Sequence, residues 1–197
     1  MIHANALAKD SPIPPRSRGT IQAVPPEDMR QFTHSSVCKV FKVMLNREAV
    51  PAESPDSPVS GADADRTGTR DRIVGTIGFS GTVTGTVYLH LDLPFARSCT
   101  CELLGMSESE LADMGDEALN DAIAEVTNMV AGGFKNHLCD CGFPCLLTLP
   151  SILRGTRFHI APISSTTRYI SHFRCGGDAI AVEIFIGNGE DAQPLRP

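Results

Sequence analysis

The spacing of apolar and polar positions divides the chain into segments of two periods. Over Glu27 to Leu45, the apolar residues Phe32, Val37, Val40, Phe41 and Met44 recur at helical spacing, which predicts a helix with one apolar stripe. From Ile73 to Phe79 and from Gly81 to Leu91 the period falls to two. Thr82, Thr84, Thr86 and Tyr88 alternate with Val83, Gly85, Val87 and Leu89, which predicts two strands joined at a Ser80-Gly81 turn. Pro94 to Leu104 predicts a short helix, and Asp116 to about Leu138 a longer one. Strand-like sequence returns at Leu146 to Leu149, at Ser151 to Leu153 beyond Pro150, and at Thr156 to Ser164, Thr167 to Arg174 and Ala179 to Ile186. Helix, two strands, two helices, then three or four strands is the order of an α+β domain with helices packed on an antiparallel sheet.

Residues 1–25 are rich in Pro, Ser and Arg and predict a disordered tail. Residues 51–71 hold Pro, Ser, Gly and Asp without an apolar run and predict a long loop inside a domain that spans 26–187, and 188–197 predict a C-terminal tail. The 197 residues suit one domain with tails.

The net charge of −6 argues against nucleic acid as a partner, since phosphate binding needs clustered Lys and Arg. The chain has no Trp and few aromatics, so base stacking is poorly supported as well. No run approaches the ~20 apolar residues that cross a bilayer. The first residues have no apolar signal core, and Pro12, Pro14 and Pro15 interrupt them, so no secretion signal is expected. The seven cysteines read most simply as reduced thiols, which places the chain in the cytoplasm.

The longer helix carries the candidate chemistry. At about 100° per residue, Leu119, Ile123, Val126, Val130 and Phe134 fall within one sector of about 80° and should face the core. Asp121, Glu125 and Asn128 fall within about 60° of one another on the opposite side, in the sector that also holds Gly132. An acid, an amide and small residues thus share one face. Two glycines within a helix, Gly132 and Gly133, cost roughly 1 kcal/mol each against alanine. Close approach of a partner and close helix–sheet packing are both compensating reasons. Spacing by itself does not separate a working Glu/Asn pair from a solvated one.

Asp121-Ala-Ile-Ala-Glu125-Val-Thr-Asn128-Met-Val-Ala-Gly resembles the signature of the CheC/CheX/FliY phosphatase family, in which an Asp or Ser is followed by Glu and Asn on an amphipathic helix. Leu149-Pro150-Ser151-Ile152-Leu153-Arg154-Gly155 is similar to the Pro-containing strand after that helix in CheX. Gly78-Phe79-Ser80-Gly81 and the strand from Gly85 fit the family's hairpin. The likeness runs from about Glu27 to Ile186.

It implies a CheC-like α+β fold and a phosphatase acting on the aspartyl phosphate of a CheY-type response regulator. It also implies roles. Asn128 would orient an in-line water, Glu125 would pair with the regulator's active-site Lys, and Asp121 and Gly132 would make supporting contacts with the partner. Mg²⁺ is expected on the partner receiver domain, and no cofactor in this chain. A homodimer formed through sheet edges is implied too, with Thr167 to Arg174 and Ala179 to Ile186 as candidate strands. A central position would give the second of these the same apolar sequence.

CheC and FliY types carry a second motif on the first helix. Here that helix reads Ser35-Ser-Val-Cys-Lys39-Val-Phe-Lys42, with Lys where Glu and Asn would stand, which favours the CheX type. His137, Cys139, Cys141 and Cys145 put four soft ligands within nine residues. Their spacing lacks the paired Cys-x-x-Cys knuckles of structural zinc, and free cysteine is commonly buried as a small hydrophobe. No metal is assigned to them. Two function classes remain open: the phosphatase, and a non-catalytic module that sequesters a phosphorylated regulator.

Overall fold

The computed structural model describes residues 24–52, 71–161 and 166–187. The segment before Val24, residues 53–70 of the expected loop and the expected C-terminal tail lie outside the described residues. Helix α1 (Pro26–Leu45) places Pro26 at its first position, where a missing N–H costs nothing. Glu27 and Asp28 lie in its first turn, at the positive end of the helix dipole. The helix ends at Asn46, in the left-handed conformation that asparagine tolerates. There follow β1 (Ala49–Ala52), β2 (Arg72–Gly81), β3 (Thr84–Asp92), α2 (Leu93–Leu104), α3 (Glu108–Met114), α4 (Asp116–Asp140), β4 (Cys145–Leu147), β5 (Ser151–Gly155), β6 (Thr166–Cys175) and β7 (Asp178–Gly187).

The strands form one antiparallel sheet in the order β1-β6-β7-β3-β2-β4, with β5 also paired to β2. The core lies between one face of this sheet and the helices. Ile73, Ile77 and Phe79 of β2, Val87, Leu89 and Leu91 of β3, and Ile180, Val182, Ile184 and Ile186 of β7 meet Phe41 of α1 and Ile123, Val130 and Phe134 of α4. The alternation predicted by the sequence is therefore the alternation between this face and the opposite one. The α+β fold with helices on an antiparallel sheet is as expected.

Several local expectations change. The hairpin turn lies at Thr82-Val83, because Ser80 and Gly81 continue β2 to pair with Leu146 and Cys145. A Cβ at Gly81 would stand 2.2 Å from the Pro144 carbonyl oxygen, so only glycine lets β4 approach there. Val24 is buried in the core, and Pro51 and Ala52 belong to β1. Helix α3 is additional, closed by a capping box between Ser107 and Glu110. Residues 156–161 form no strand, and 162–165 lie outside the described residues.

The strand Ala179 to Ile186 is not an edge. β7 is hydrogen-bonded to β3 on one side and β6 on the other, and its apolar character comes from burial on both faces.

Candidate functional site

Helix α4 is 25 residues long and lies between β2 and α1. Two close approaches seat it. A Cβ at Gly75 would lie 1.9 Å from Thr127 Oγ1, so the glycine in β2 admits the helix at the level of Thr127. The Thr127 hydroxyl donates back to the Ile123 carbonyl at 2.7 Å, which satisfies it in a fully buried position. On the other flank a Cβ at Gly133 would meet Ser36 Oγ at 2.9 Å, and Ser36 in turn donates to the Phe32 carbonyl. The Phe32 ring stacks on His137 at 5.2 Å. At the start of the helix Arg154 of β5 pairs with Asp116 at 2.6 Å and donates to its carbonyl at 2.9 Å. The guanidinium holds the Asp116 carboxyl below its ordinary range. That pairing is complete at neutral pH and is lost only as acid protonates the carboxyl.

With its back face fixed, the helix presents the expected residues outward. Leu119, Ile123, Val126, Val130 and Phe134 are buried, as the helical period predicts. Asp121 and Glu125 are exposed, and Asn128 and Gly132 are half-exposed on the same side. Among the described residues no hydrogen bond or ion pair engages the side chains of Asp121, Glu125 or Asn128. Glu125 and Asn128 stand about one turn apart, so one ligand can meet both. A Cβ at Gly132 would have nothing within 4 Å. The two glycines differ: Gly133 is closely packed, though against Ser36 of α1 rather than against the sheet, whereas Gly132 leaves open space in front of the motif face.

The arrangement offers one acceptor-only carboxylate, one amide that both donates and accepts, and a flat patch beside them. It holds no nucleophile. In α1, Lys39 and Lys42 occupy exposed positions.

The cysteine-rich segment does not assemble a ligand set. Among the described residues no three His, Cys, Asp or Glu side chains come together in a way that could hold a metal ion. Cys145 is buried at the start of β4 with its thiol raised by burial, Cys141 is exposed, and the His137 ring stacks on Phe32. Burial likewise pushes the Cys99 thiol up to about 12. Among the described residues no helix is long and apolar enough to cross a membrane.

The seats of α4, Gly75 and Ser36, and its Arg154 clasp were not legible in the sequence. Each depends on contacts between residues far apart in the chain, and only the glycine within the β2 pattern offered a signal.

Among solved structures the chain is similar to a CheC-like superfamily protein from Shewanella sp. PV-4, with 24% identity over 81% of this chain and 97% of that one and a TM-score of 0.64. It is also similar to the chemotaxis protein CheX of Vibrio vulnificus, with 22% identity, 83% and 99% coverage and a TM-score of 0.64. A third similar structure is the CheX–CheY–BeF3–Mg²⁺ complex from Borrelia burgdorferi, with 20% identity, 80% and 96% coverage and a TM-score of 0.60. These likenesses establish the fold. No curated protein matches the chain. The sequence model of the family described as chemotaxis phosphatase CheX matches residues 73–174, a span that contains the whole of α4 and more than half of the chain, and the chain belongs to that family.

Proposed function

We propose that this protein hydrolyses the aspartyl phosphate of a CheY-like receiver domain, with Glu125 and Asn128 entering the partner's active site from α4. The observation that carries this reading is the pair itself. The two side chains lie on one exposed face, engaged by nothing in the described chain, on a helix fixed at its back by Gly75, Ser36 and Arg154. The CheX–CheY complex of the Borrelia relative supports a CheY-like partner.

Phosphoryl transfer leaves a protein mostly positioning and electrostatics to supply. An amide is neither acid nor base at useful pH. Asn128 therefore orients: it holds a water in line with the bond between phosphorus and the partner's aspartate oxygen. The water oxygen forms the new P–O bond as the acyl-phosphate bond breaks, which releases inorganic phosphate and restores the partner's carboxylate. Glu125 pairs with the partner's active-site Lys and fixes the docked geometry through a charge-assisted hydrogen bond. Asp121 lies one turn before Glu125 and adds a contact at the rim, and Gly132 lets the partner's backbone approach. The Mg²⁺ that receiver domains use belongs to the partner.

The test is turnover of phosphorylated receiver domain by the wild type and by Asn128→Ala. The wild type should release many equivalents of phosphate. The variant should lose at least about a hundredfold in rate, which corresponds to about 2.7 kcal/mol of transition-state stabilisation. Its affinity for a beryllofluoride-activated receiver should remain. Full activity in the variant would remove Asn128 from the site. Stoichiometric protection of the phosphoryl group by the wild type would show a sequestering module instead of an enzyme.

A further inference from the structure

The edge of the sheet beside α4 carries an irregularity. Phe79 pairs with Leu147 and Thr76 with Ser151, so two residues of β2 lie opposite three of the facing segment. Thr148 faces Gly78: its N–H donates to the Gly78 carbonyl at 2.9 Å, and the Gly78 N–H donates to its hydroxyl at 3.0 Å. Leu149 and Pro150 are then left opposite the single residue Ile77. This is a β-bulge in an edge strand, a device that re-aims a side chain.

Leu147 lies opposite the buried Phe79 and Thr148 at Gly78, so strand alternation places Leu149, across from the buried Ile77, on the helix-bearing side of the sheet, where β4 and β5 both meet α4. Leu149 is nonetheless 88% exposed, the most exposed large apolar side chain among the described residues. It is also held in place. Thr148 before it is pinned at both backbone and side chain and donates to the Leu149 carbonyl, and Pro150 after it has a fixed φ.

A fixed, exposed leucine beside a polar helix face supplies what that face lacks. The motif positions of α4, Asp121, Glu125, Asn128 and Gly132, carry no large apolar side chain. Stable interfaces place an apolar anchor within a polar rim.

We propose that Leu149 is the apolar docking anchor for the receiver domain that Asn128 and Glu125 act upon, a residue that sets affinity and partner choice without taking part in the chemistry. The identity of the partner rests on the phosphatase reading above.

The experiment measures kcat and KM on phosphorylated receiver and Kd on beryllofluoride-activated receiver for Leu149→Ser, Leu149→Met and Leu146→Ser. Leu146 is the control. It is 77% exposed, but it pairs with Ser80 and points to the opposite face of the sheet. Leu149→Ser should raise KM and Kd by at least about tenfold, since an anchor is used equally in the ground and transition states, and kcat should stay within about twofold. Leu149→Met should keep near wild-type values, and Leu146→Ser should change nothing. Unchanged Kd in Leu149→Ser, or the same loss in Leu146→Ser, overturns the anchor. If the wild type binds receiver but does not turn it over, the phosphatase reading falls and the anchor is judged on Kd alone. If it binds no CheY-like receiver, both fall.

Discussion

A methyl group added at Gly132 would meet nothing within 4 Å, whereas one added at Gly133 would strike Ser36. The fold has no use for the smallness of Gly132, yet glycine inside a helix costs about 1 kcal/mol against alanine. Gly132→Ala should therefore stabilise the protein by about 0.5–1 kcal/mol in urea denaturation while weakening binding to an activated receiver domain. Stabilisation with unchanged affinity would place Gly132 outside the interface. The opposed signs distinguish a contact residue from a packing residue. At this scale the sequence was informative about direction, because the helical period alone put Asp121, Glu125 and Asn128 on one side and Leu119, Ile123 and Phe134 on the other. It was silent on Leu149, whose aim depends on a strand register that only nonlocal pairing fixes.

Among the elements, β7 shows how burial on both faces reads in a sequence. Its helix-facing side is apolar, and its other face buries Glu183 at 1% exposure, opposite Tyr88 of β3 and Ile170 of β6. The carboxylate is held by Arg168 of β6 and lies 3.2 Å from His90 of β3, so three strands are tied together through one buried charge. Removing a partner from such a pair strands the charge that remains. Arg168→Ala should cost about 2–3 kcal/mol by chemical denaturation, toward the low side for buried pairs because Arg168 is 28% exposed. If the single variant is as stable as the wild type, the pair contributes nothing to the sheet.

The elements that the sequence reading missed have physical reasons. β1 is four residues long and contains a proline. α3 was announced only by its Ser107-x-x-Glu110 capping box. The Thr156 to Ser164 pattern alternates suitably, yet residues 156–161 have no strand to pair with.

For the whole molecule, the expected dimer has to be reconsidered strand by strand. β7 is saturated on both edges and cannot mediate it. The sheet ends on β1 at one side and on β4 and β5 at the other. β1 is short and includes Pro51, and the opposite margin is broken by the Leu149-Pro150 bulge. Both are devices that make an edge a poor template for another chain. A homodimer through a sheet edge remains the prediction from family resemblance, with β6, which β1 pairs only over 172–175, as the candidate strand that is left, and it should show twice the monomer mass in light scattering at micromolar concentration. A monomeric mass would overturn the dimer and leave α4 and its partner untouched. The order of the elements was legible because period two and period 3.6 separate cleanly in this chain. Strand order was not, since β1 to β6 and β3 to β7 are pairings between residues about a hundred positions apart.

The seating of α4 has a consequence for how this lineage can change. Its back face is fitted to Gly75, Ser36 and the core, so substitutions there cost stability. The side chains of Asp121, Glu125 and Asn128 make no hydrogen bond or ion pair in the described chain, so substitutions there are close to neutral for folding. If that face is the docking surface proposed above, partner preference can change without the fold having to be re-optimised. In such a molecule the recognition surface and the scaffold evolve as nearly separate traits, joined only by the orientation that Thr127 and Gly133 enforce.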